Sequence, residues 1–354
     1  MRAEPDVRGV DVLIRGAGPV GCALALALRT SGLRVGVLGS ASQNASFRPI
    51  ALSYASRLIL ERVGVWGALA ATAIATICVS QAGGFGRTRF DAADAGVPAL
   101  GYVTDYSELS QRLKEAAREL LLDEEVPARC VVHAEGWAAD AAERRYAQDA
   151  LVALVQTQPP SVALAFERFT PEGPLALLPF AGRYAVVWSM SPGRSATLAA
   201  ASEEQFLGEL AAAAGAAPGL PVRARARALQ PLVLRVRPAT IGERAVYIGN
   251  AAQTLHPVAG QGLNLGLRDA WDLAQTLHGA PDPGDPRTLE RYVRRRRLDA
   301  GATIRTTDLL AGAFLGSNRL MRAARGAALT ALDVLPGPRR FFARRMIFGA
   351  SALP

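Results

Sequence analysis

Lysine is almost missing from this chain of 354 residues: Lys114 stands alone among 40 basic residues, and the others are arginine. Cysteine is scarce as well. The three present, Cys22, Cys78 and Cys130, are odd in number and widely spaced. They form neither a disulfide framework nor a metal-ligand pattern, and a reducing compartment is expected. With only three histidines, no ligand cluster and no Ser/His/Asp arrangement stands out, so neither a metal nor a covalent nucleophile is expected. Aromatic residues make up 6% and are not interleaved with the arginines, which argues against a nucleic-acid surface despite a net charge of +9 and a pI near 10.1. The charge suits an anionic partner without naming one. No apolar run approaches the ~20 residues of a membrane span. The first residues carry acids and no small-residue cleavage pattern, so a cytoplasmic location is expected.

Half of the residues are apolar and a fifth are charged, as in a globular chain that buries a sizeable core. The length suits one composite domain or two ordinary ones. The first chemical signal comes early. Val10–Arg15 reads as a buried strand, Gly16-Ala17-Gly18-Pro19-Val20-Gly21 follows at once, Cys22–Thr30 reads as a helix and Arg34–Leu38 as a second strand. In such a β-α-β unit Gly16 permits the tight turn, Gly18 lets a pyrophosphate approach the backbone, and Gly21 lets the helix pack on the sheet. A glycine-rich turn without a ligand is the plainer alternative. The acid that usually ends the second strand is missing from Val37-Leu38-Gly39-Ser40. Either Ser40 takes its place at the ribose or that end is held more weakly.

A second signal lies more than 200 residues later, in YIGNAAQTLHPVAGQGLNLGLRDAWDLAQTL (Tyr247–Leu277). A strand-like start at Ala245–Ile248 and a helical end at Leu265–Leu277 flank a segment without an acid or base before Arg268, which offers backbone N–H groups rather than side chains.

Together the two motifs resemble the aromatic-ring hydroxylases of the flavoprotein monooxygenases, which share the fold of p-hydroxybenzoate hydroxylase. The wording Gly-Asn-Ala-Ala-Gln-Thr-Leu-His-Pro is most similar to the ubiquinone-biosynthesis hydroxylases of the 2-polyprenyl-6-methoxyphenol hydroxylase type. Further likeness runs through RPIALSYASRLILERVGVW (Arg48–Trp66), YAQDALVALVQT (Tyr146–Thr157) and AFERFTPEGPLALLPF (Ala165–Phe180).

The resemblance implies an α/β fold: a Rossmann-type FAD-binding domain, an inserted antiparallel-sheet substrate domain and a C-terminal helical region. Residues 1–80, 105–145 and 238–285 are expected to form the first domain, 81–104 and 146–237 the second, and 286–354 the helices. It also implies an FAD site at Gly16, Gly18, Pro19, Val20, Gly21, Arg48, Glu135, Gly249, Asn250, Gly260, Gln261, Gly262, Leu263 and Asn264. Asn250 would bond the ribityl hydroxyls, and backbone N–H groups near Gly262 would meet the flavin's N1 and O2. His256, Pro257 and Gly262 are the expected catalytic positions; for His256 a purely structural role is the alternative, as an ordinary surface role is for Arg48. His133 and His278 have no case.

The implied reaction is hydroxylation of a polyprenylated phenol by O₂ through a flavin C4a-hydroperoxide, with NAD(P)H as reductant. The alternatives are a hydroxylase of a soluble aromatic compound and an accessory subunit of a quinone-pathway complex with weakened flavin binding. The missing acid near Gly39 and two further departures motivate the last. The family's Asp-Gly motif falls on Glu135-Gly136, and only LLDEEVPA separates the helix ending near Leu121 from RCVVHAEG (Arg129–Gly136).

Alternating strands at Ala150–Gln156, Ala163–Phe169, Leu175–Phe180 and Tyr184–Met190, with turns at Pro171–Gly173 and Ala181–Arg183, point to the substrate half. Phe166, Phe169, Phe180 and Trp188 are expected in its core, with alternate strand members lining a pocket. The basic density peaks at Arg291–Arg297 and Arg339–Arg345. A helix over Arg319–Leu335, with Leu320, Ala324, Ala327, Ala328 and Leu332 on one side, precedes RRFFARRMIFGA. Such arginines beside large apolar groups suit an anionic membrane surface, and packing on its own domain is the alternative.

Overall fold

The computed structural model describes residues 9–39, 48–136, 140–254, 261–315 and 319–349. The expected sites His256, Pro257 and Gly260, and Ser40, lie outside them.

The apolar run in Val10–Arg15 has both faces covered, as the centre of a parallel sheet requires. It pairs in parallel with Val35–Leu38 on one side and Ala128–His133 on the other. The full order, from one edge, is Ile241–Gly242, Ala245–Tyr247, Ala128–His133, Val10–Arg15, Val35–Leu38, Leu121–Leu122. The short LLDEEVPA stretch is therefore a direct crossover. Leu121–Leu122 close one edge, and residues 123–127 carry the chain to the far side of the first strand, with Glu125 paired to Arg15.

The helix after the first strand is Pro19–Ala27, three residues earlier than the sequence pattern predicts, because Pro19 presets helical φ at the first position. It is buried nearly all round, packed between the sheet and the helices Tyr106–Ala116 and Gln261–Leu277.

An eight-stranded sheet forms the second half. Its two 17-residue strands, Ala142–Gln158 and Leu220–Val236, pair antiparallel, and Arg183–Met190, Pro174–Phe180, Leu164–Phe169, Thr76–Gln81 and Arg87–Asp91 continue it. All but the Leu164–Phe169 and Thr76–Gln81 pair are antiparallel. One face packs on the helices Pro192–Ala200 and Glu203–Ala214 through Trp188, Leu198 and Phe206. Between the halves lies a three-stranded sheet of Pro49–Ser53, Gly101–Asp105 and Thr72–Ile74.

Three long helices follow Gln261–Leu277: Pro286–Leu315, Arg319–Val334 and Pro336–Phe348. No described helix is long and apolar enough to cross a membrane. In the last helix Phe342, Ile347 and Phe348 pack inward, Phe342 against Phe90 with ring centroids 5.7 Å apart and Phe348 edge-on to Tyr54 at 6.3 Å. Only Phe341 of this aromatic set stays exposed. In the preceding helix Leu329 is buried and Leu332 half-buried, Met321, Ala324 and Ala328 border the same cavity while staying partly open to solvent, and Leu320 and Ala327 point away from it.

Of the basic run at 291–297, Arg296 is buried, while Arg291, Arg294, Arg295 and Arg297 are exposed. Arg296 donates to Asp269 at 2.8 Å, Asp272 at 3.0 Å and Asp299 at 2.7 Å, and Arg268 donates to Asp299 at 2.8 Å. Arg295 meets Asp272 at 2.8 Å, and Arg291 caps the Thr276 carbonyl at 2.9 Å. Burial alone would raise the Asp299 carboxyl, but the Arg268 and Arg296 guanidinia hold it below the usual range. Arg296→Met would leave these buried carboxylates short of a cation, and a loss of about 3–5 kcal/mol in chemical denaturation is expected; a change under about 1 kcal/mol would show that the cluster is not needed for stability.

Candidate active site

The glycines of the first turn leave a space shaped by contact. Gly16 has φ +119°, and a Cβ there would come within 2.8 Å of the Ala134–Glu135 loop. A Cβ on Gly21 would stand 2.0 Å from the Gly16 carbonyl oxygen, so helix and turn can meet only without it. Nothing lies within 4 Å of a Cβ on Gly18, the N-cap residue, and no side chain caps this helix. Its first N–H groups and positive dipole end therefore face open space, as an anion site requires.

Gly249, with φ +57°, forms the opposite wall. Val20 is wedged between it and Gly266, 3.2 Å and 2.7 Å from where their Cβ atoms would stand. This packing locks the phosphate turn to the second motif. The Gly249 N–H and the Gln253 amide donate to the buried Asp269 carboxylate at 3.1 and 2.7 Å, which turns exposed Asn250 outward.

Gly16, Gly18, Pro19, Val20, Arg48, Glu135, Gly249, Asn250, Gly262 and Leu263 all line one cavity of about 500 Å³, inside the ~300–1,000 Å³ range of small-molecule sites. Arg48 is held there by its backbone, which donates to Asp105 at 3.2 Å, and by the Tyr106 ring 4.7 Å beneath its guanidinium. Val152, Leu175 and Val187 of the eight-stranded sheet close the cavity from the other side.

Two expected residues use their side chains elsewhere. Asn264 accepts from the Ser53 backbone at 2.8 Å and the Ser56 hydroxyl at 2.7 Å and donates to the Ala51 carbonyl at 2.9 Å, so it clamps a neighbouring strand. The Gln261 amide reaches the Met346 carbonyl at 3.5 Å. The helix is described from Gln261 onward, and Gly262, Leu263 and Asn264 belong to this described part. His133 is stacked on Tyr247, centroids 4.5 Å apart, between paired strands.

Sequence reasoning missed Glu167. The alternation of Leu164–Phe169 puts it on the face of Ala165 and Phe169, and an acid between apolar residues on an inward face was the available signal. It is half-buried, and it borders both cavities. No hydrogen bond or ion pair to it occurs among the described residues, and burial pushes its carboxyl up.

The donor set fits a flavin dinucleotide: an open helix N-terminus for the pyrophosphate, Asn250 beside it, and Gly262 and Leu263 bordering an apolar wall. Residues 124–307 match the family model described as FAD binding domain. Ubiquinone hydroxylase UbiL of Rhodospirillum rubrum is 30% identical over 94% of this chain and 88% of its own. The chain belongs to the FAD-dependent hydroxylases of ubiquinone biosynthesis. Within this family, 3-demethoxyubiquinol 3-hydroxylase of Escherichia coli is 28% identical over 91% of this chain and 94% of its own. The fold is that of FAD monooxygenases: p-nitrophenol 4-monooxygenase PnpA of Pseudomonas putida superposes with a TM-score of 0.77 at 19% identity, covering 97% of this chain and all of the other.

Because ionising Glu167 costs the folded state but not the unfolded chain, its contribution is complete below the ordinary Glu value of ~4.3 and is lost as pH rises through the raised folded value. Thermal melts should therefore find the wild type and Glu167→Gln alike at acid pH, with the variant gaining as pH rises; a difference unchanged from about pH 4 to about pH 9 would contradict the assignment.

Proposed function

We propose that this family member hydroxylates the ring of a polyprenylated phenol, using O₂ and the reducing equivalents of NAD(P)H and releasing water. The observation that carries this reading is the division of the cavity: glycine turns and the open N-terminus of Pro19–Ala27 on one side, apolar strand residues such as Val152, Leu175 and Val187 on the other. Bound FAD supplies the redox and oxygen chemistry. The chain supplies the rest. Gly18 and the first turn of Pro19–Ala27 would hold the pyrophosphate, Asn250 would bond the ribityl hydroxyls, and the backbone near Gly262 would supply donors to the ring system. Val152, Leu175 and Val187 exclude water from the face where substrate lies. Glu135 keeps the charge of the family's usual Asp on a longer arm and borders the same cavity.

The substrate's chain resides in a bilayer, and the C-terminal helices supply contact with the cytoplasmic face of a membrane. Val334 and Leu335, at the turn between the last two helices, are exposed, as is Phe341 beyond it, beside Arg340. This combination suits anionic headgroups.

Incubation of the FAD-loaded protein with a prenylated phenol and NAD(P)H should give a product heavier by one oxygen atom, labelled from ¹⁸O₂. NAD(P)H consumption with no hydroxylated product from any prenylated phenol would sink the reading. In sedimentation, the wild type should pellet with vesicles containing phosphatidylserine more than with neutral ones, and Phe341→Asp should reduce this by about fivefold or more, given the ~1.4 kcal/mol per tenfold scale and the apolar area of one ring. Equal pelleting of both proteins would remove Phe341 from the contact.

A further inference from the structure

A second cavity, of about 450 Å³, lies between the eight-stranded sheet and the two C-terminal helices. Its volume falls within the ~300–1,000 Å³ range of ligand sites. Ala51, Ile74, Ile77, Glu167 and Phe169 line both this chamber and the flavin cavity, so the two adjoin along one wall. The outer wall is the cavity-facing side of Arg319–Val334, where small Ala324 and Ala328 leave the space that larger residues would fill.

We propose that this chamber is the seat of the substrate's prenyl chain, distinct from the flavin cavity and continuous with it. The inference rests on the polyprenylphenol reading. Three observations carry it. The lining is mostly apolar, and several of its polar members are turned to protein partners: Asn264 to Ser53 and Ala51, Gln261 to Met346, and Arg325 over the Phe169 ring at 4.9 Å. A polar ligand would leave its own groups unpaired there, at a cost that a hydrocarbon does not incur. Glu167, without a partner among the described residues, stands where the two cavities share a wall. That is the place where an apolar chain would end and a phenolic ring with its hydroxyl begin, and a protonated carboxyl can donate to that oxygen. Finally, the chamber is walled by the helices whose exposed apolar residues were assigned to the membrane, which gives the chain a short route in.

Affinity for a farnesylated phenol and for the same phenol without its chain should be measured on FAD-loaded protein, from the change in flavin absorbance. The wild type should bind the farnesylated compound more tightly. Ala328→Phe and, independently, Ala324→Phe fill the chamber and should each weaken that compound about tenfold or more, the worth of roughly two methylenes kept from burial. The chainless phenol should bind as before. Ala327→Phe, on the outward side of the same helix, should bind both compounds like the wild type. If the wild type prefers the farnesylated compound and both filling variants keep that preference, the chamber assignment is overturned while the hydroxylase reading stands. If the wild type shows no preference for the chain, the chamber assignment and the polyprenyl substrate fall together.

Discussion

One buried carboxylate holds the parts of this site together. Asp269 accepts from the Gly249 backbone, from the Gln253 amide and from Arg296, and it is 2% exposed. A carboxylate this deep needs both a cation and hydrogen-bond donors, and the donors it takes are those of the turn that presents Asn250. Arg296 supplies the cation and also reaches Asp272 and Asp299, so the Pro286–Leu315 helix is tied to the Gln261–Leu277 helix. Arg345 stands 3.7 Å from Asp299 and brings the last helix to the same cluster. A planar guanidinium can bridge several acids in this way, which a lysine ammonium does less well. The arginine-rich composition is thus partly a requirement of the interior and not only a surface property.

The same cluster joins the two halves of the chemistry. Its cavity side fixes Gly249 against Val20 and so sets the width of the cofactor cradle. Its outer side positions the C-terminal helices, whose cavity-facing side walls the second chamber. Cradle and chamber share Glu167 and Phe169, so one strand of the eight-stranded sheet borders both a polar, anion-binding region and an apolar one.

Much of this was legible in the sequence. The β-α-β unit, the strands at 164–190 and the packing roles of glycines 16 and 21 follow from local spacing and from the absence of side chains where two backbones meet. Family resemblance added the Gly249–Asn250 wall, which no local rule supplies. Long-range pairing was not legible. Nothing in RYVRRRRLDA says that Arg296 lies inside against Asp269, 27 residues away, while Arg291, Arg294, Arg295 and Arg297 stay exposed. Nor does the sequence show that the Asn264 side chain, two residues from Gly262, bonds Ser53, more than 200 residues earlier in the chain. Glu167 escaped notice because its meaning depends on two cavities that only the packing creates.

The most direct test of this account is the affinity of the protein for FAD, measured by titration of the apoprotein, in the wild type and in Asp269→Ala. With the clamp on Gly249 and Gln253 gone, the variant should keep its circular dichroism and bind FAD about tenfold or more weakly, the loss of a charge-assisted bond worth roughly 1.5–3 kcal/mol. Equal affinity in the two proteins, or a wild type that binds no FAD, would contradict it.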